Sequence, residues 1–235
     1  MEVVIGQIRQ DLIKFSDQTH KISGERYFRE AVKLYGVKAV HIRRIAREHF
    51  KRLTDRTKDH VFRCCELLFI SGMMEEALIA CLWAEKVNGQ YQPGDFSTFD
   101  KWVNNYITNW ATCDTLCNHA VGDLVTAYPE LLPELRKWAR SSNRWVKRAA
   151  AVSLIIPARK GLFTDDILEI ASILIADTDD MVQKGYGWML KACSESNLEI
   201  VYNFVTSNKQ KMPRTALRYA IEKMPAEMKA EAMKK

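Results

Sequence analysis

Apolar residues recur three or four positions apart along most of the chain. Val4, Ile8, Leu12 and Phe15 open the pattern. That spacing lays side chains on one face of an α-helix and predicts a first helix over 3–15. The polar stretch 16–24 is read as a loop, 25–34 as a second helix, 35–38 as a turn and 40–50 as a third helix. Further helices are expected at about 59–71, 74–87, 96–109, 112–127, 130–141, 143–156, 164–176, 179–193, 197–207, 213–223 and 226–234. The clearest loop is 88–95, and Pro129, Pro157 and Pro225 stand at helix ends. Thr164 and Thr178, each followed by two aspartates, read as N-caps with acidic first turns. No convincing strand emerges, so the fold class is all-α.

A repeat organises these helices. The run Arg144-Trp145-Val146-Lys147-Arg148-Ala149-Ala150 lines up, 36 positions on, with Asp180-Met181-Val182-Gln183-Lys184-Gly185-Tyr186, and a weaker echo starts at Arg214. Two helices per 35–45 residues mark HEAT-like or armadillo-like stacking, in which each pair leaves an apolar face for the next pair to cover. The expectation is one curved α-solenoid over 1–235. Its N-terminal helices occupy about 1–70, and stacked pairs over about 71–235 carry a concave site.

Composition narrows the function classes. The 235 residues are 47% hydrophobic and 27% charged, as in a globular protein, and ten Gly with six Pro are few for a turn-rich β-fold. No segment approaches the roughly 18 uninterrupted apolar residues of a membrane span, and no secretory leader is read at the start. A cytoplasmic protein, nucleoid-associated when bound to DNA, is expected. The net charge of +6 suggests an anionic partner. Six cysteines form no CxxC pair. Cys113, Cys117, His119 and Asp123 match no standard zinc spacing, so reduced thiols and no metal are expected. Arg43, Arg47 and Lys51, with Arg44 beside them, draw a basic stripe along the third helix. Such a stripe is usually a solvated face, yet in a basic protein it suits phosphate.

The chemistry centres on the stretch from Asn109 to Gly122. As a helix it sets Trp110 and Asp114 one turn apart on one face, with Leu116, Ala120 and Val121 on a buried one. An indole beside a carboxylate suits a partner that carries or develops positive charge. Trp110 to Arg148 spans 38 positions and Arg148 to Trp188 spans 40, about one repeat each. All three are therefore expected on successive inner helices facing one groove. The planar fork of Arg148 suits phosphate; taken alone, Trp188 beside Met189 and Leu190 reads as core and Arg148 as a surface charge.

These residues carry a resemblance. The segments Tyr27 to Phe50 (with Gly36-Val37 and Arg43-Arg44-Ile45-Ala46), Asn109-Trp110 to Asp114, Asn143 to Ala150, and Gly187-Trp188-Met189-Leu190-Lys191 are similar to the AlkD-type DNA alkylation repair family. These are alkylpurine DNA glycosylases of HEAT-like repeats. The resemblance implies that Asp114 is the catalytic carboxylate and that Trp110 and Trp188 flank the deoxyribose of the lesion. It implies that Arg148 holds DNA backbone, with Lys191, Lys38 and Tyr27 as further DNA contacts. The implied reaction excises cationic N3- and N7-alkylated purines from duplex DNA without flipping the base, with no cofactor and with the protein as a monomer. The sequence departs from the family at Ala111-Thr112-Cys113, at Lys191, where arginine is common, and at Lys38, where a polar glutamine can contact DNA. Family members that bind damaged or branched DNA without excising bases supply one alternative. A HEAT-type scaffold for protein partners supplies another.

Overall fold

The computed structural model describes residues 1–234; the last position of the 1–235 reading lies outside them. The fold is all-α, and among the described residues the one extended pairing is an isolated bridge between Lys33 and Met73. The chain packs as two compact units, Met1–Leu116 and Cys117–Lys235.

The first unit holds α1 (Glu2–Lys14), α2 (Gln18–Tyr27), α3 (Ala39–Arg52), α4 (Lys58–Ile70), α5 (Met74–Glu85), α6 (Phe96–Asn105) and α7 (Trp110–Leu116). Helix α3 packs on α5 and α5 on α7, while α4 packs on α5 and α1 bears on α3 and α4. Ile45, Leu68, Ile79, Trp83, Phe99 and Trp102 fill the core. On α3 the apolar stripe Ile42, Ile45 and Ala46 is buried, which leaves Arg43, Arg47 and Lys51 on the opposite, exposed face. The Trp83 indole N–H donates to the Ala46 carbonyl at 2.8 Å, tying the middle of α3 to the end of α5.

The loop expected at 16–24 and the helix expected at 25–34 both fail here, whereas 35–38 is non-helical as read. Residues 18–27 are helical, and 28–38 are not. The Asp17 carboxylate accepts from the His20 N–H at 2.6 Å and starts α2 there, as N-cap aspartates do. Helix α2 buries none of its residues, so it shows no apolar stripe to read. Phe28 then leaves the helix in an extended conformation. The apolar positions Leu34 and Val37 are buried, but without helical backbone, because the donors there bond elsewhere. The buried Glu75 carboxylate accepts from the N–H groups of Tyr35, Gly36 and Val37 at 3.1, 2.8 and 3.1 Å. Its neighbour Glu76, equally buried, takes a two-pronged contact from Arg9 and the Tyr35 hydroxyl at 2.8 Å. Burial, then the bond to Glu76, pushes the Tyr35 phenol well above the ordinary tyrosine range.

The second unit holds a π-helical turn (Cys117–Val121), α8 (Gly122–Ala127), α9 (Leu132–Ala139), α10 (Arg144–Val152), α11 (Ile155–Arg159), α12 (Thr164–Leu174), α13 (Asp180–Ser194), α14 (Leu198–Asn208), α15 (Arg214–Ile221) and α16 (Ala226–Met233). Helices α10, α13 and α15 pack side by side in that order, and α9 and α12 pack on one another and on their partners. The repeated segments at Arg144, Asp180 and Arg214 are thus the second helices of successive pairs. Three local expectations shift. The run expected as one helix over 112–127 contains the π-turn, and 143–156 divides into α10 and α11 around residues 153–154. The caps differ as well. Phe163, with φ 62°, precedes α12, so Thr164 is its first helical residue. Asp179, not Thr178, caps α13 by accepting from the N–H groups of Met181 and Val182.

Candidate nucleic-acid interface

In the first unit, α7 begins where Asn109 allows it to. This buried side chain accepts from the Thr112 N–H at 3.0 Å, satisfying an end donor that the helix cannot. Thr112, Cys113 and Leu116 then point into the core, which turns Trp110 and Asp114 to the half-buried face. The carboxylate and the indole thus share one edge of α7, as their spacing predicts.

The Trp110 ring is held by aromatic neighbours from the end of α2. Phe28 stacks on it with centroids 5.6 Å apart and planes 26° from parallel. Tyr27 meets it edge-on at 6.2 Å, and meets Phe28 edge-on at 5.5 Å. Tyr27 is 70% exposed, so the trio forms a wall that a ligand can reach. Beside it lies a cavity of about 270 Å³, lined by Phe28, Leu34, Gly36, Val37, Glu75 and Trp110 among others. The clamp of Glu75 on residues 35–37 therefore also shapes the space next to the indole. Lys38 follows as the exposed N-cap residue of α3. Phe28 is a residue the sequence reading missed. Its signal was its place beside Tyr27, hidden by the misplaced second helix.

In the second unit, Trp188 lies half-buried on α13. It is not sunk in the core as Met189 and Leu190 are. Its predecessor Gly187 lets α15 approach closely: a Cβ there would stand 2.7 Å from Tyr219 Cβ and 2.9 Å from the Ala216 carbonyl oxygen. Lys191, one turn after Trp188, ion-pairs with Glu222 at 3.0 Å and lies 5.5 Å from the Tyr219 ring centroid, with a side chain 15% exposed. Arg148 is 5% exposed. Its guanidinium donates to the Met181 carbonyl in the first turn of α13 and packs along Gly185. This arginine has a structural partner in α13, a role that its reading as a backbone contact did not include.

Cys113 and Cys117 are fully buried. Among the described residues no group of three or more His, Cys, Asp or Glu side chains is placed to hold a metal ion, and no helix is long and apolar enough to cross a membrane.

The family model described as DNA alkylation repair enzyme matches residues 8–224. Among solved structures, a predicted DNA alkylation repair enzyme from Enterococcus faecalis is similar in fold, with a TM-score of 0.79 at 15% identity over 90% of this chain and 97% of that one. No curated protein matches the chain.

Proposed function

We propose a base-excising activity for this chain, which belongs to the DNA alkylation repair enzyme family. The reading is a monofunctional DNA glycosylase that hydrolyses the N-glycosidic bond of cationic N3- and N7-alkylated purines in duplex DNA. The observation that carries it is the pairing of Asp114 with Trp110 on one half-buried edge of α7, the indole backed by Phe28 and Tyr27.

An N-alkylated purine already bears positive charge and departs as a neutral base, so the leaving group needs no proton. The remaining demand is to stabilise an oxocarbenium-like sugar and to position water. A preorganised carboxylate meets the first demand, and such groups are commonly worth about 3–4 kcal/mol. Electron-rich indole faces add a cation–π term of about 0.5–2 kcal/mol. Asp114 is assigned the electrostatic role, and Trp110 and Trp188 the flanking of the deoxyribose. Lys38, Lys191 and Tyr27 are assigned DNA contacts. Arg148 is assigned the backbone, together with its hold on the start of α13. The protein acts as a monomer in the cytoplasm, without a cofactor.

The test is to incubate alkylated duplex DNA with the protein and to measure released 3- and 7-alkylpurines and the abasic sites left behind. Asp114→Asn is expected to lower the rate about 10²–10³-fold. Absence of release by the wild type, or equal release by the variant, would defeat the assignment. Tight binding of damaged DNA with no product would instead favour a non-catalytic member of the same family.

A further inference from the structure

A second feature of the first unit plays no part in that chemistry. Between α3 and the end of α5 runs a groove of about 760 Å³. Its rim is cationic: Arg43, Arg44, Arg47, Lys51 and Lys86 line it, and no carboxylate does. Its floor is apolar, built from Ala46, Phe50, Leu82 and Trp83. A flat, solvated basic stripe would lack such a floor. A groove of this size is in the range that encloses a small organic group.

We propose that this groove binds a single-stranded nucleic-acid segment, with phosphates on the rim and a base against the floor. Three observations carry the proposal. First, Arg43, Arg47 and Lys51 stand at i, i+4 and i+8 on one exposed edge of α3. A helix rises about 6 Å over four residues, which places the cations at a pitch comparable to successive phosphates on an extended strand. Second, Arg44 is oriented in advance, its guanidinium 4.5 Å from the Phe15 ring centroid, while the His41 ring stacks on the same phenyl at 4.7 Å. Third, the combination of a basic rim and an apolar floor fits a ligand with anionic edges and a planar apolar body. A duplex presents its phosphates outward and keeps its bases stacked inside. A single strand can offer both parts at once. The proposal takes only the class of polymer from the reading above, and none of the residues assigned to base excision.

The experiment measures fluorescence anisotropy of a labelled thymidine oligonucleotide against the full chain over a salt series. Matched duplex, an abasic strand of equal length and competing thymidine monophosphate complete the set. The wild type is expected to bind the oligonucleotide more tightly than the abasic strand, by at least about 5-fold, the equivalent of the lower end of one base's stacking. The triple variant Arg43→Ala/Arg47→Ala/Lys51→Ala, whose altered side chains are all exposed, is expected to keep the wild-type melting temperature. It should bind about 10-fold or more weakly, and the slope of log K against log salt should fall by about 2, at about 0.7 per phosphate contact for single strands. Equal binding of the abasic strand, an unchanged slope in the triple variant, or competition by the mononucleotide as strong as by the strand would overturn the proposal. A loss confined to the duplex would do so as well. Base release from alkylated duplex is followed in parallel. Its absence speaks against the glycosylase reading alone, because the triple variant and the thymidine strand bear on different residues and a different product.

Discussion

Helices α7 and α13 each present a half-buried tryptophan, and they do so by opposite means. Trp110 is held by its surroundings: Phe28 and Tyr27 from the end of α2, with residues 35–37 fixed nearby by the Glu75 carboxylate. Trp188 is placed by the spacing of helices, because Gly187 brings α15 to within reach of the α13 backbone, and no other ring stacks on it among the described residues. The charge beside each ring also differs, a carboxylate on α7 and an ammonium on α13. A side chain can therefore be positioned by polar clamps on irregular backbone or by close packing of regular backbone. The two kinds of support fail under different substitutions.

The largest effect is expected from Glu75→Ala. It strands three backbone donors and a bulky void at a buried position, at a cost of roughly 3–5 kcal/mol, seen as a fall in denaturant midpoint. Quenching of Trp110 should change along with it. An unchanged midpoint would mean that residues 35–37 do not depend on the clamp. Next comes Gly187→Ala. The added methyl meets backbone of α15, which cannot yield as a flexible side chain can, and the cost is expected at about 1–3 kcal/mol. This variant should leave the surroundings of Trp110 intact, which an indole-resolved NMR spectrum checks. Shifts at both tryptophans would dissolve the distinction drawn between the two supports.

Phe28→Leu removes the stacked ring but keeps bulk. A stacked pair contributes about 0.5–1.5 kcal/mol, so base release should slow by about 2–10-fold with little change in melting temperature. The smallest effect is a pH dependence in the first unit. Burial pushes the Glu66 carboxyl up, but hydrogen bonds from Lys101, Tyr106 and Trp102 outweigh it and hold the group below the usual glutamate range. Because the folded value is the lower one, this stabilisation is present above the unfolded pKa of about 4.3. It is lost as pH falls through the folded value. Glu66→Gln should therefore flatten the fall in melting temperature on acidification toward pH 3, measured by calorimetry against the wild type.

Much of this organisation was legible in the residue order. The repeat at Arg144, Asp180 and Arg214 marked three helices that do pack in series. The spacing of Trp110 and Asp114, set against Leu116, Ala120 and Val121 on a buried face, placed the two on one edge of the helix, and both are half-buried there. What escaped notice was governed by long-range polar contacts. Helix α2 buries none of its residues and so carries no apolar stripe, and residues 28–34 follow a helical spacing while the neighbouring donors of 35–37 reach the Glu75 carboxylate about 40 positions away. Glu75 and Glu76 are buried in the first turn of α5, and no pattern of apolar spacing marks a buried carboxylate. Arg148 reads as a groove-facing contact to DNA backbone, and its bond to the Met181 carbonyl goes unread because that partner belongs to the next helix pair.

Gly36 joins several of these threads. Its φ is 87°, its N–H donates to Glu75, its carbonyl accepts from Asp17, and a Cβ there would stand 2.4 Å from the Asp17 carbonyl oxygen. Any larger residue must push away the start of α2, and with it the segment that ends in Tyr27 and Phe28. A mutational scan scored on repair would thus flag position 36 as though it handled the lesion. Its influence would be mechanical, transmitted through the ten-residue lever whose far tip carries the rings.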